Sequence, residues 1–221
     1  AGPFTLEPGA LNNITFGVVY AKASSGDPFQ SVELVRKADD KAQALFDNCF
    51  RILNGPDSPE MAIQELDQEL IIHLNETQEV ETYEEVDPII ESLDTCKSGP
   101  CLDSKYRFQG YQVFQLVDQN VDPSELNDVD RARLIAQCDI TNGVNQLINY
   151  PFDDDLGAGV PTEMVNGNDE GIKHSFKVTQ DAFAQGDLTL INFKKYYFMV
   201  LSYGYNNYKD YNTSDPSSLD G

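Results

Sequence analysis

Tryptophan is absent from the chain, histidine occurs twice, and Lys and Arg together number 15 against 37 Asp and Glu. Each shortage excludes something. A net charge of −22 repels phosphate backbones and anionic headgroups, which rules against nucleic acid and membrane surfaces as partners and favours cations. No apolar run approaches the roughly 18–20 residues of a spanning helix, and the amino end lacks the basic-then-apolar pattern of a signal peptide. Neither His73 nor His174 has an acid or nucleophile fixed beside it by sequence, and there is no Gly-x-Ser-x-Gly elbow, phosphate-cradling glycine loop or His-Glu-x-x-His helix. Carboxylate pairs are plentiful, but among 37 acidic residues they arise by chance and do not define a glycosidase dyad. The expectation is a chain that is not an enzyme.

What is present suffices for a folded domain with a smaller companion: 221 residues, 40% of them apolar. The chain begins at Ala1 without methionine and reads as a piece of a longer polypeptide. Of the four cysteines, Cys96 and Cys101 flank Lys-Ser-Gly-Pro, a short loop that brings two sulfurs together; a local disulfide is expected, and with it an oxidising, extracellular setting. Cys49 and Cys138 lie in apolar contexts and read as buried thiols, with a long-range disulfide between them as the alternative.

Three segments follow from periodicity. Residues 1–27 read as a β-hairpin, the tail of a preceding β domain, because Ile14, Phe16, Val18 and Tyr20 alternate after a Pro-Gly turn. Residues 28–55 read as one long amphipathic helix: Asp27 and Pro28 open it, Val35, Ala38, Ala42, Leu45, Phe46, Cys49 and Leu53 form one stripe, and Asn54-Gly55-Pro56 stops it. It is expected to brace the strands on either side.

Residues 56–221 turn to β. Strands are expected at 59–66 and 69–75 around a tight Asp67-Gln68 turn, and at 106–116, 132–139 and 172–179. Asn142-Gly143 signals a hairpin whose returning arm is 144–150. The acidic run 76–93 reads as a solvated loop, and 118–131 as another with a helical turn near Pro123. The stretch 192–208 carries apolar or aromatic residues on both faces, Tyr196, Phe198 and Val200 on one and Tyr197, Met199 and Leu201 on the other. It is therefore expected inside a sheet. The tyrosines at 203, 205, 208 and 211 are expected to pack against a neighbour.

A proline-rich entry, a strand pair, the Gly110-Tyr-Gln-Val113 strand, and Leu190 placed ahead of Tyr196-x-Phe-x-Val-x-Ser202 together resemble a fibronectin type III domain over about residues 56–208. The resemblance implies an Ig-like antiparallel β-sandwich in which Leu190 and Tyr196 form the tyrosine corner. The chain departs from it in having Ile72 and Leu74 where the family carries a tryptophan, in long acidic insertions at 76–104 and 150–171, and in showing no obvious last strand after Tyr208. The amino-terminal Gly2-Pro-Phe-Thr-Leu-Glu-Pro-Gly9 phrase and the Ala-Asp-Asp-Lys-Ala-Gln helix are similar to a segment of large secreted surface proteins of Bacteroidota. That similarity implies secretion or display at the cell surface within a multi-domain parent.

The function expected is a non-enzymatic structural or protein-interaction module whose partners are other domains of a longer chain, or a protein or glycan ligand. The alternative is a calcium-assisted adhesin or glycan-binding domain. Its candidate ligands are Asp153, Asp154 and Asp155 in one glycine-flanked loop and Asn168, Asp169 and Glu170 in another, because a hard cation with six to eight oxygen ligands needs flexible, donor-rich loops.

Overall fold

A computed structural model describes residues 8–9, 11, 14–23, 28–93, 103–153 and 155–206. Cys96, Cys101, Asp154 and the 207–221 tyrosines lie outside them. In chain order the elements are α1 (Pro28–Asp47), β1 (Glu60–Leu66), β2 (Glu69–Asn75), α2 (Thr77–Glu81), β3 (Glu84–Val86), α3 (Pro88–Leu93), β4 (Lys105–Leu116), a 3-10 turn (Pro123–Glu125), β5 (Ala132–Asp139), β6 (Gln146–Asn149), β7 (Phe152–Asp153), β8 (Ala158–Gly159), β9 (Thr162–Asn166), β10 (Ser175–Val178) and β11 (Tyr197–Tyr205).

Two antiparallel sheets carry the core. One runs β1-β2-β10; the other places β11 on one flank of β4, and β5 and β3 on its other flank at opposite ends. The sequence reason is period two. On β2, Leu70, Ile72 and Leu74 alternate with polar or less buried positions, and Ile72 and Leu74 bury fully against Phe176 and Val178 of β10 and Tyr111, Val113 and Val200 of the facing sheet. Gln68 takes a left-handed φ of 54° to close the two-residue β1–β2 turn at the expected position.

The second sheet is buried on its outer face too. Phe114 and Leu116, with Tyr197, Met199 and Leu201 beside them, are covered by Val121 and Leu126 from the 117–131 connection. That connection is held by Asp122, whose carboxylate accepts the Ser124 N–H while Glu125 reaches back to the Asp122 N–H, and by Arg131, which bridges Asp118 and Glu125. The expected helical turn is there, but the segment lies on the sheet as a cover.

Five expectations change. The helix ends at Asp47: Phe50 N–H bonds Leu45 C=O and Cys49 N–H bonds Phe46 C=O around a left-handed Cys49, a Schellman closure made without glycine. The 76–93 run is ordered as α2, β3 and α3, because Val80 and Ile90 anchor it among its carboxylates. Asn142-Gly143 does turn the chain, yet β6 pairs with β9 and leaves β5. The Asp169 carboxylate caps that turn by accepting both the Asn142 and Gly143 N–H groups, which directs the chain away from the sheet. Residues 14–23 have the alternation of a strand but form none, since they have no strand beside them among the described residues. Finally, β11 lies at the rim of its sheet, paired with β4 alone among the described residues.

Candidate functional site

The corner between β10 and β11 is built by local chemistry. Leu190 is 2% exposed, and Tyr196, half-buried against the same core, accepts the Ile191 N–H on its phenol oxygen at 2.8 Å. Beneath it Asp181, also buried, accepts from Gln115 Nε2 at 2.7 Å, Phe183 N–H at 3.0 Å and Lys194 Nζ at 2.6 Å. Burial alone would push the Asp181 carboxyl up, but the Lys194 ammonium and the two neutral donors outweigh it and hold it below the usual carboxylate range. This constellation is structural: every polar group in it is already engaged within the fold.

A groove of 570 Å³ lies on the outer face of the second sheet. Phe114 and Leu201 floor it; Pro123, Leu126 and Val129 form one wall, and Met164 and Val165 of β9 the other. Val129 and Met164 stand well exposed at its lips. At one end the floor turns polar through the cross-strand rows Tyr203–Gly110–Asp139 and Leu201–Gln112–Gln137. Tyr203 lies over Gly110, where a Cβ would fall 2.2 Å from the Cys138 carbonyl oxygen and 2.7 Å from Tyr203 Oη, so only glycine permits the stacking. Tyr203 Oη, Gln137 Nε2 and Asp139 Oδ2 are buried and have no hydrogen-bond partner among the described residues. Burial, reinforced by the nearby Asp139 charge, pushes the Tyr203 phenol far above its ordinary value and keeps it neutral. Such a groove can take an apolar side chain from a partner; it offers no nucleophile. Nothing in the acidic connections flagged it beyond the lone apolar residues Val129 and Met164.

A second, polar cleft of 410 Å³ lies by β3 and the start of β4, lined by Glu81, Glu84, Asp103, Arg107 and Asn142. Its ion pairs are already made. Lys105 and Arg107 both meet Glu84, and Arg107 also meets Asp103 at 2.6 Å. The Lys105 hydrogen bond above all holds the Glu84 carboxyl below its ordinary value, and the Arg107 hydrogen bond does the same to Asp103. Near this cleft His174 Nε2 meets Glu81 Oε1 at 2.6 Å, and Glu81 also accepts from Tyr111 Oη at 3.2 Å. His73 Nδ1 lies 2.9 Å from Ser175 Oγ, its cross-strand partner, with both side chains on the exposed face of the sheet. The first pair lacks a nucleophile apart from Thr77 Oγ1 at 3.4 Å, and the second has no acid hydrogen-bonded to its histidine among the described residues.

The candidate calcium ligands among the described residues are each engaged or exposed separately. Asp153 Oδ1 accepts the Leu156 N–H, Asp169 caps the 142–143 turn, Glu170 pairs with Lys173, and Asn168 and Asp155 are exposed. Among the described residues no three His, Cys, Asp or Glu side chains group as a metal site. Cys138 is the buried thiol expected, its sulfur 3.3 Å from the Lys173 N–H, and burial pushes it up. Cys49 is instead exposed, because the helix ends around it, and the two are free thiols far from any mutual bridge. No described helix is long and apolar enough to cross a membrane. The chain matches no protein-family model, no curated protein and no solved structure.

Proposed function

We propose that the chain is a non-enzymatic interaction module of a secreted, multi-domain surface protein, built on a fibronectin type III-like sandwich. One observation carries the reading: the chain leaves several of its large apolar side chains outside its own core. Leu11, Phe16 and Val18 are 96%, 87% and 90% exposed, and Phe46 in the last turn of α1 and Phe50 and Ile52 just beyond it are 49%, 55% and 75% exposed. Large apolar side chains left exposed at successive positions support a place where another protein surface sits. The Tyr196–Ile191 hydrogen bond and the buried Leu190 support the fibronectin type III assignment, since that corner has this geometry in the family. The filled core and the engaged ion pairs of the polar cleft support a binding role over a catalytic one.

The test is a footprint. Carbene labelling of Phe16, Val18 and Phe46 is measured on the isolated chain and on the parent polypeptide displayed at its surface. Strong labelling of the isolated chain with marked protection in the parent supports the module; equal labelling in both removes it.

A further inference from the structure

The two edges of the sandwich are closed differently. On the side where β5 faces β10, the sheets are stitched: the Cys138 sulfur takes the Lys173 N–H and Asp139 Oδ1 takes the Asp169 N–H at 3.0 Å. On the opposite side Ser202 of β11 reaches the Pro56 and Asp57 carbonyls, which sets β11 over the entry to β1. There the closure stops.

Met61 and Ile63 of β1 stand directly across from Leu74 and Ile72 of β2, so all four point to the interior face of their sheet. Leu74 and Ile72 are 5% and 0% exposed, whereas Met61 and Ile63 are 36% and 41% exposed. The surface that would cover them lies beyond β11, and the backbone of 197–204 hydrogen-bonds to β4 alone among the described residues. Among the described residues, an open sheet edge and an uncovered apolar face at the same side amount to one missing strand.

The chain also holds a segment with the alternation of a strand and no sheet to join. Ile14, Phe16, Val18 and Tyr20 alternate along an arm and are 70%, 87%, 90% and 65% exposed. It is tied at the root, by Ala23 N–H to Ser31 Oγ at 3.1 Å and Lys22 Nζ to the Leu156 carbonyl at 3.3 Å. The residues after β11, 207–221, contain no alternating apolar run and include Pro216.

We propose that residues 14–20 of a second copy of this chain add to β11 as the missing strand, with Phe16 and Val18 seated over Met61 and Ile63. Main-chain hydrogen bonds to the β11 edge supply the attachment, and the alternate side chains, large on one face and Thr15, Gly17 and Val19 on the other, set the register. Donor arm and acceptor slot are different surfaces. Copies therefore join head to tail, or two copies exchange arms. The inference rests on the reading of the chain as an interaction module, but it fails separately from it.

The experiment is complementation between two full-length variants, followed by analytical ultracentrifugation over a concentration series. Val18→Asp keeps the slot and spoils the arm; Ile63→Asp keeps the arm and spoils the slot. The unmodified chain is expected to self-associate, each variant alone to do so about tenfold or more weakly, and an equimolar mixture to form a 1:1 complex. Since Val18 is fully outside the core, its variant folds as the parent does, and circular dichroism checks Ile63→Asp. A synthetic peptide of residues 11–23 supplies a second measurement: it raises the melting temperature of Val18→Asp, and the same peptide with alternate amides N-methylated does not. A chain that stays monomeric and ignores the peptide overturns strand donation, as does association that persists in both variants. Should the chain stay monomeric while the footprint in the parent shows protection, the module stands and this occupant of the slot falls.

Discussion

The phenol oxygen of Tyr196 accepts the backbone N–H of Ile191 at 2.8 Å, while Leu190, next to that amide, is packed into the core. One side chain thereby fixes both the path of the chain into β11 and the depth of the residue before the turn.

Replacing Tyr196 by Phe keeps the ring and removes only that hydrogen bond, so urea unfolding is expected to show a loss of about 1 kcal/mol. Leu190→Ala removes a buried side chain at the same corner and is expected to cost about 2–5 kcal/mol. If the two substitutions cost the same, the corner is not organised as described.

Gly110 is required by contact, not by backbone freedom. A Cβ there meets the Cys138 carbonyl at 2.2 Å, a backbone atom that cannot swing aside, so Gly110→Ala is expected to destabilise by about 1–3 kcal/mol. Gly17→Ala is the control, because a Cβ at Gly17 meets nothing within 4 Å. Thermal unfolding of the two variants separates them.

Asp181 gives the fold a pH signature. Its folded-state carboxyl is held below the ordinary value, so its contribution is complete above the unfolded-state value of about 3.9 and is lost as pH falls through the lower folded value. At neutral pH, Asp181→Asn is expected to cost about 1.5–3 kcal/mol for the lost charge-assisted bonds. Below about pH 4 the stability gap between the two proteins is expected to narrow. Denaturation curves from pH 7 to pH 2.5 read this directly; a gap that widens on acidification contradicts the sign.

The described thiols should differ in reactivity. Cys49 is exposed, whereas Cys138 is buried, accepts the Lys173 N–H and is held protonated by desolvation. With iodoacetamide at pH 8 and peptide mapping by mass spectrometry, Cys49 is expected to alkylate in the folded protein and Cys138 only on unfolding. Comparable rates would contradict the burial of β5.

Much of the β framework was legible because one pattern governed it locally. In 69–75 every second residue is apolar and the preceding Asp67-Gln68 pair permits a tight turn, and both features appear where expected. The 132–139 strand was equally plain. What failed was whatever depended on distant residues. The Asn142-Gly143 turn is steered by Asp169, far along the chain, so its own dipeptide gave the bend but not the partner. In 76–93 seven carboxylates conceal two anchors, Val80 and Ile90. For β11 the error is instructive: apolar residues on both faces report what lies above and below a strand, here the core and the 117–131 cover, and say nothing about what lies alongside. The groove was invisible for a related reason, as one wall comes from the 117–131 connection, which carries no period, and the other from β9, whose place beside the sheet depends on distant residues.

The 117–131 cover has one more consequence. With the core beneath, that flap above, β11 to one flank and β3 and β5 to the other, β4 is walled in on every side, and all positions from Phe108 to Leu116 are buried. Neither solvent nor protease can touch such a strand until something around it has first departed. Disassembly of this molecule therefore has an obligatory sequence, in which the rim lets go first and the keel yields last.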